Sequence, residues 1–426
     1  MSNVREIPQP IYDGWKLTQF SETVLAPISG RRPKGGASSE SGTIPSVGGE
    51  HITNGGILDF SNTKFIPEDY FERIKFSKLE IGDILICKDG ALAGKVAFYE
   101  KNYFHQAAVN EHIFILRPKN GNSAKFLFFS LQSEHGQNQI KRILTGSAQP
   151  GLTKNFIDYY FLNLPSPLEQ RKIAAILSSV DAAIEQTDAI ISQTERMKKS
   201  LMQELLTKGI GHKAYRDTPI GRIPIEWDVM TCDSVCEEIV VGIVVKPSQY
   251  YSSSGVPALR SANIRESGID PSNLVFITEE SNRMLAKSMV RSGNVLTVRT
   301  GYPGTSCVVP PEFDGCNCID IIISRPKPEI ISSFLSTWIN SDFGKKQVLR
   351  VQSGLAQQHF NIGELKKMLI AKPSVEEQQR IMSIINVHDL RLFLEDSYLS
   401  KLKQLKRGLM QDLFSGKVPV KVDGHA

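Results

Sequence analysis

The 426-residue chain has no apolar run approaching the roughly 18 residues of a membrane span, and its opening residues carry no apolar segment of the signal-peptide kind. A cytoplasmic protein is the expectation. Six cysteines are too few for a disulfide framework. Five of them, Cys232, Cys236, Cys307, Cys316 and Cys318, fall in the second half, in C-x3-C and C-x-C spacings that do not suit a structural zinc site, and the first half has only Cys87. Reduced, semi-buried thiols and no metal are expected. There is no G-x-x-x-x-G-K-[ST] phosphate loop and no H-E-x-x-H helix, and the eight histidines show no recurring Asp or Ser spacing. ATP use, zinc hydrolysis and triad catalysis therefore lack their residues. Extremes of composition are missing too: 22% charged and 41% hydrophobic residues describe an ordinary globular protein. A net charge of +5 and a pI near 8.7 permit a polyanionic partner without requiring one.

What the chain does have is a second copy of itself. Pro165-Ser-Pro-Leu-Glu-Gln-Arg-Lys-Ile173 returns 208 residues later as Pro373-Ser-Val-Glu-Glu-Gln-Gln-Arg-Ile381. Leu201-Met202-Gln203 with Leu205 returns as Leu409-Met410-Gln411 with Leu413. Trp15 pairs with Trp227, and Ile44-Pro45 to Ile52 with Val256-Pro257 to Ile264, at an offset of 212. The run from Gly82 through Lys88 to Gly90 matches that from Gly293 through Arg299 to Gly301. Arg117-Pro118 matches Arg325-Pro326, and Ala148-Gln149 matches Ala356-Gln357. Both halves follow one plan, with loop insertions shifting the offset.

Short apolar runs at Asp83 to Cys87, Val109 to Leu116, Val295 to Val298 and Ile319 to Ile323 read as strands. Lys125 to Leu131 and Ile330 to Ile339 carry helical spacing. The class is α/β (α+β), with β structure leading in two similar domains. The segments after Ile173 and Ile381 are of another kind. Apolar or small residues recur in steps of three and four at Ile173, Leu177, Val180, Ile184, Thr187, Ile191, Thr194, Leu201 and Leu205. The offset of 208 carries this seam onto Ile381, Ile385, His388, Leu392, Glu395, Leu399, Leu402, Lys406, Leu409 and Leu413. Gly209 and Gly416 stop helices of about 40 residues, which at about 1.5 Å per residue span roughly 60 Å. Each seam needs a partner, and the other is the only long one. Because each helix follows its own globular domain, antiparallel pairing is expected. The expected layout is a domain over 1–164, a helix over 165–208, a second domain over 209–372, a second helix over 373–416 and a tail over 417–426. Such a pair carries a pseudo-two-fold axis, the symmetry of a DNA duplex read from both strands, with half-sites about one helical turn apart and an unread gap between.

The duplicated Pro-x-x-x-Glu-Gln-x-x-Ile helix opening, the Leu-Met close, the endings Leu206-Thr207 and Phe414-Ser415, and the Trp near each domain start resemble the specificity subunit of type I restriction-modification enzymes. The resemblance covers essentially the whole chain. It implies two target recognition domains, each reading one half of a split DNA sequence, and helices that set the spacer and dock modification subunits. It implies a non-catalytic chain that binds no cofactor. The partners would be two modification subunits that methylate adenine with S-adenosylmethionine, and restriction subunits that use ATP and Mg. His388 and Glu395 on the second seam depart from the pattern and predict looser packing there. An adenine methyltransferase would need an Asn/Asp-Pro-Pro-Tyr/Phe turn; the nearest string, Val309-Pro310-Pro311-Glu312-Phe313, lacks the amide or acid and reads as a plain turn.

Specific DNA reading needs Arg, Lys, Asn or Gln at base edges and positive groups on phosphates. The loop Ser29-Gly-Arg31-Arg32-Pro-Lys34-Gly-Gly has three positive charges and no acid. Lys88 and Arg299 hold matched strand ends, and Gln149 and Gln357 matched loops; Lys95, Arg260, Arg265, Gln358 and His359 follow from type and neighbourhood. For partner docking the candidates are Glu169, Gln170 and Arg171 with Glu377, Gln378 and Gln379, the competing role being helix N-terminal capping. The rival from another class is a two-headed coiled-coil adaptor that binds proteins and not DNA; a fused methylation enzyme is weakened by the missing methyltransferase motif.

Overall fold

The computed structural model describes residues 14–40, 42–100, 104–119, 121–146, 150–352 and 359–420. The chain divides into two compact units, one of Met1–Asp188 with Ser397–Ala426 and one of Ala189–Asp396. The division cuts through the two long helices, because the start of each helix is built into the core of the domain that precedes it.

In the first unit an antiparallel sheet runs in the order Ile28–Ser29, Ile113–Leu116, Ile84–Cys87, Val96–Phe98. A second sheet places Ile44–Val47 between Lys64–Ile66 and Ala108–Val109, the last pair parallel. The second unit repeats this with Cys236–Val241, Ile321–Pro326, Val295–Val298 and Ser306–Val308, and with a sheet ending in the parallel pair Val256–Leu259 and Asn317–Cys318. The central strands bear Ile, Leu and Val on both faces, as strands covered on both sides must.

One of the sequence-predicted strands is broken and its counterpart starts late. Val109 to Leu116 divides at Asn110–His112 into Ala108–Val109 and Ile113–Leu116, and the run predicted over Ile319 to Ile323 is strand only from Ile321, being separated at Ile319–Asp320 from the strand Asn317–Cys318 before it. In each unit the two pieces belong to different sheets, so the break is where the chain changes sheets. An apolar run carries no sign of such a switch.

The antiparallel four-stranded sheet of each unit is covered by a helix pair, Ala124–Gln132 with Glu134–Ile143 and Ser332–Asn340 with Asp342–Gln352. The joints are alike. Ser133 Oγ donates to the Ser130 carbonyl (2.7 Å) and accepts from Gly136 N (3.0 Å), while Ser341 Oγ donates to the Trp338 carbonyl (2.6 Å) and accepts from Gly344 N (3.4 Å). A Cβ on Gly136 or Gly344 would lie 2.1 Å or 2.2 Å from a carbonyl oxygen of the preceding helix. Only glycine allows that approach.

The long helices are Pro167–Lys208 and Val375–Ser415. In the first unit Ile173, Ala174 and Leu177, at the start of one, share a core with Met410 and Leu413, at the end of the other. In the second unit Leu205 and Leu206 share a core with Ile381, Met382 and Ile385. Start against end in each unit is antiparallel packing. Val180, Leu399 and Leu402 are buried, and Ile184, Ile191, Leu201, Leu392 and Leu409 are half-buried. The polar seam positions are accommodated individually. Lys406 Nζ reaches Asp181 (2.7 Å) and Gln132 Oε1 (2.8 Å) over the Phe129 ring, and Thr187 donates to the Ala183 carbonyl (2.8 Å). His388 and Glu395, where looser packing is predicted, are half-buried, and Arg391 lies 3.8 Å from Glu395.

All six cysteines are buried and free, deeper than the semi-buried thiols expected. Burial pushes the Cys307 thiol up to about 12, which disfavours the thiolate that a nucleophile needs. Among the described residues no three or more His, Cys, Asp or Glu gather as a metal site would need, and no helix is long and apolar enough to cross a membrane. Pro311–Phe313 forms a single 3-10 turn, as the string around it predicts.

Candidate nucleic-acid interface

In each unit one edge gathers several loops around a glycine. Gly30 follows the edge strand Ile28–Ser29, and a Cβ on it would stand 2.0 Å from the Val109 carbonyl oxygen; at Gly242, 212 positions later, the corresponding distance is 2.4 Å, to Cys318. At both places the chain leaves its strand by crossing directly over the sheet-changing segment, and a side chain would block the crossing. The loop that follows each glycine is thereby held against the turn before Ile113 or Ile321.

The first edge is polar. Arg31, Arg32 and Lys34 are exposed. Arg32 is not a bare cation, however: it pairs with Glu111 and lies 2.5 Å from His112 Nε2, while His112 Nδ1 lies 2.6 Å from Asp89. The loop contains no acid, but the tertiary structure brings one to it. Lys88, half-buried, has its Nζ 5.5 Å from the Phe114 ring centre, and its backbone N–H donates to the His112 carbonyl (2.8 Å). Lys95 is half-buried nearby, its carbonyl accepting from Cys87 N (2.8 Å).

The second edge is arranged around Asp320. Its carboxylate pairs with Arg299 and accepts from Thr300 Oγ1 (3.4 Å), and its backbone N–H donates to the Ile243 carbonyl (3.1 Å). Arg299 also donates to Asn361 Oδ1 (3.2 Å). Lys88 and Arg299 thus hold corresponding places, as their spacing predicts, but both are engaged within their own domains. Arg260 donates to the Asn273 carbonyl (2.5 Å) and Arg265 lies 3.4 Å from Asp270; His359 is exposed beside Phe360, whose N–H donates to the Arg299 carbonyl (3.0 Å). Gln149, Gln357 and Gln358 lie outside the described residues. Sequence reasoning missed Asp89, Glu111, His112, Lys246 and Asp320. Two of these had a signal: Lys246 corresponds to Lys34 at offset 212, and Asp320 to His112 at offset 208.

At the helix openings, Gln170 and Gln378 are buried and fully employed. Gln170 accepts from Ser123 N (2.9 Å) and donates to Asn122 Oδ1 and the Pro165 carbonyl; Gln378 accepts from Ile331 N (2.8 Å) and donates to the Glu329 and Pro373 carbonyls. Each ties a long helix to the helix pair of its own domain, so these two side chains are not available to a partner. Glu169 accepts from Ser166 N (3.0 Å) and takes the Trp15 indole at 3.4 Å. Glu377 accepts from Trp227 Nε1 (2.9 Å) and Ile210 N (2.9 Å) and lies 2.9 Å from His212. Burial opposes the charge on His212, but Glu377 and Glu226 outweigh it and raise its pKa above the ordinary value. Arg171 and Gln379 point outward.

A family model described as the type I restriction modification DNA specificity domain matches residues 12–196. The chain is similar to the type I restriction enzyme MjaVIII specificity subunit of Methanocaldococcus jannaschii, 24% identical over 388 residues that cover 86% of this chain and 87% of the relative. It is also similar to the EcoKI specificity subunit of Escherichia coli K12, 19% identical over 436 residues, 95% and 89% of the two chains. The crystal structure of a type I restriction-modification S subunit from M. genitalium shares the fold, with a TM-score of 0.59 and 14% identity over 99% of both chains. A chain from a study of complex assembly and conformational transition in a type I R-M system matches with a TM-score of 0.58 and 18% identity, over 96% of this chain and 100% of that one. The fold is thus that of S subunits. Over most of its length the chain is similar to specificity subunits of type I restriction-modification systems, and the reading as a protein-binding adaptor finds no support.

Proposed function

We propose that each unit reads one half of a split DNA target through the loop edge that Gly30 or Gly242 organises, and that the chain itself performs no catalysis and binds no cofactor. The observation that carries this reading is the duplication of that edge: the same glycine crossing, sheet-changing turn and strand-end cation occur twice, with different side chains around them. A reader of two unlike half-sites needs a constant frame and variable contacts. In the first unit Arg31 and Lys34 are the phosphate-facing groups, and Arg32, which donates to His112 and pairs with Glu111, turns its remaining N–H groups to base edges or phosphate. In the second, Lys246 takes the place of Lys34.

The modification subunits, carrying S-adenosylmethionine, would dock on the outward faces of the long helices, with restriction subunits using ATP and Mg joining the assembly. Arg171 and Gln379 lie on those faces. In the second unit, Ile384, Val387, Leu390 and Leu394 form an exposed apolar stripe at helical spacing, the kind of surface that a partner covers.

The test is to co-express the chain with its cognate methyltransferase subunit and to map N6-methyladenine genome-wide. The expected result is methylation at a split motif, one adenine per half on opposite strands. Methylation at a continuous motif, or none from a stable complex, would overturn the reading.

A further inference from the structure

The two edges differ in polarity, and the difference points to how the second domain reads its half-site; the inference rests on the DNA-reading function proposed above. At the positions of Arg31, Arg32 and Pro33 the second domain has Ile243, Val244 and Val245. Val244 is 49% exposed, Val245 73%, and Tyr302, two residues past Thr300 on the neighbouring hairpin tip, 82%. These are not stray surface residues. Ile243 is bonded through its carbonyl to Asp320 N (3.1 Å), Ile243 N donates to the Cys318 carbonyl (2.8 Å), and Thr300 donates to the Asp320 carboxylate (3.4 Å). Both apolar tips are thus fastened to one residue.

The backbone is held out of its relaxed form at the same place. Lys246 has φ +40° and Asp320 φ +53°, two of the three non-glycine residues with positive φ among the described residues. A lysine in this region is strained and persists only where the surroundings impose it. Two valines precede the strained Lys246 and face solvent, as does Tyr302 two residues past Thr300, and Asp320 offsets the charge of Arg299.

We propose that Val244, Val245 and Tyr302 are specificity-determining residues that contact thymine C5-methyl groups in the major groove of the second half-site. The thymine methyl is the apolar group that a major groove offers, and it is the feature that apolar side chains read there. The occupant is DNA because the same place in the duplicated fold carries the cationic loop of the first domain, and because Lys246 and Arg299 keep cations at the positions of Lys34 and Lys88. The first domain holds its half-site mainly by charge, and the second by apolar contact.

The experiment uses the chain assembled with its modification subunits, and duplexes carrying the mapped target with deoxyuridine replacing thymine in one half-site at a time. Removing the methyl groups of the second half-site should weaken binding about tenfold, while the same change in the first half-site leaves affinity unchanged. Tyr302→Ala combined with Val245→Thr should remove the sensitivity to deoxyuridine and relax the motif only in its second half. Retention of assembly and of the first half of the motif shows that the variant is folded. Equal binding of thymine and deoxyuridine duplexes at the second half-site, or an unchanged motif from the folded double variant, would overturn the proposal while leaving the two-headed reading intact. A wild-type complex without a split motif would overturn that reading, and the proposal with it.

Discussion

Where the two copies of the fold coincide, the shared residues are buried or sterically confined; where they diverge, the residues face outward. Gln170 and Gln378 make the same set of bonds, Gly30 and Gly242 permit the same crossing, and Gly136 and Gly344 close the same helix joint. Around this frame Arg32 gives way to Val244, His112 to Asp320 and Asp89 to Thr300. A buried amide with three hydrogen bonds has few substitutes, because any replacement leaves backbone groups unpaired in a dry environment. A loop edge has no such constraint. The fold therefore separates the part that holds position from the part that is free to vary.

The comparison is broken most severely at the shared glutamines. Gln170→Leu should cost about 3 kcal/mol, since the Ser123 N–H and the Pro165 carbonyl lose their partner, and Gln378→Leu should cost the second unit the same. Hydrogen exchange on the intact chain should place each loss in its own unit; protection lost in both units from one change would mean that the copies do not fold independently. Gly30→Ala and Gly242→Ala should each cost about 1–3 kcal/mol by overpacking against a carbonyl that cannot retreat, read by denaturant midpoint. An effect at only one of the two would break the equivalence of the crossings.

Salt dependence sharpens the contrast between the edges. Replacing Arg31, Arg32 and Lys34 together by Ala should lower the slope of log affinity against log salt by about 0.9 for each phosphate that is no longer neutralised. Lys246→Ala should lower it by about 0.9 at most, the effect of a single phosphate. Equal effects would contradict the difference in polarity. The smallest effect expected is on pH. Because the pKa of His212 is raised in the folded state, its imidazolium stabilises the second unit fully below the ordinary histidine value, and that contribution is lost as pH rises through the folded pKa. Thermal unfolding of the wild type should show the second unit less stable at pH 8 than at pH 6, and His212→Ala should flatten the difference.

Several of these features were legible in the sequence because they repeat or are periodic. A seam with steps of three and four states which face of a helix must be covered, and two such seams of equal length with none other available indicate their pairing. The strand-end match of Lys88 with Arg299 followed from the same repeat. The glutamines of the helix openings were visible as motifs but not as buried links, since the Ser123 and Ile331 amides that they bind lie 47 residues away in the chain. The breaks at Asn110–His112 and at Asp320 were invisible, because an apolar run reads the same whether it stays in one sheet or passes into the next.

By itself, the sequence determined the duplication, the two long helices and their antiparallel sense, because periodic burial and repetition are properties of order along the chain. The tertiary structure alone decided which charges remain exposed. Arg32 finds Glu111 and His112, Arg299 finds Asp320, and Lys406 finds Asp181 through contacts between segments distant in sequence. Electrostatic pairing acts over a few ångströms of space, and no spacing along the chain records it.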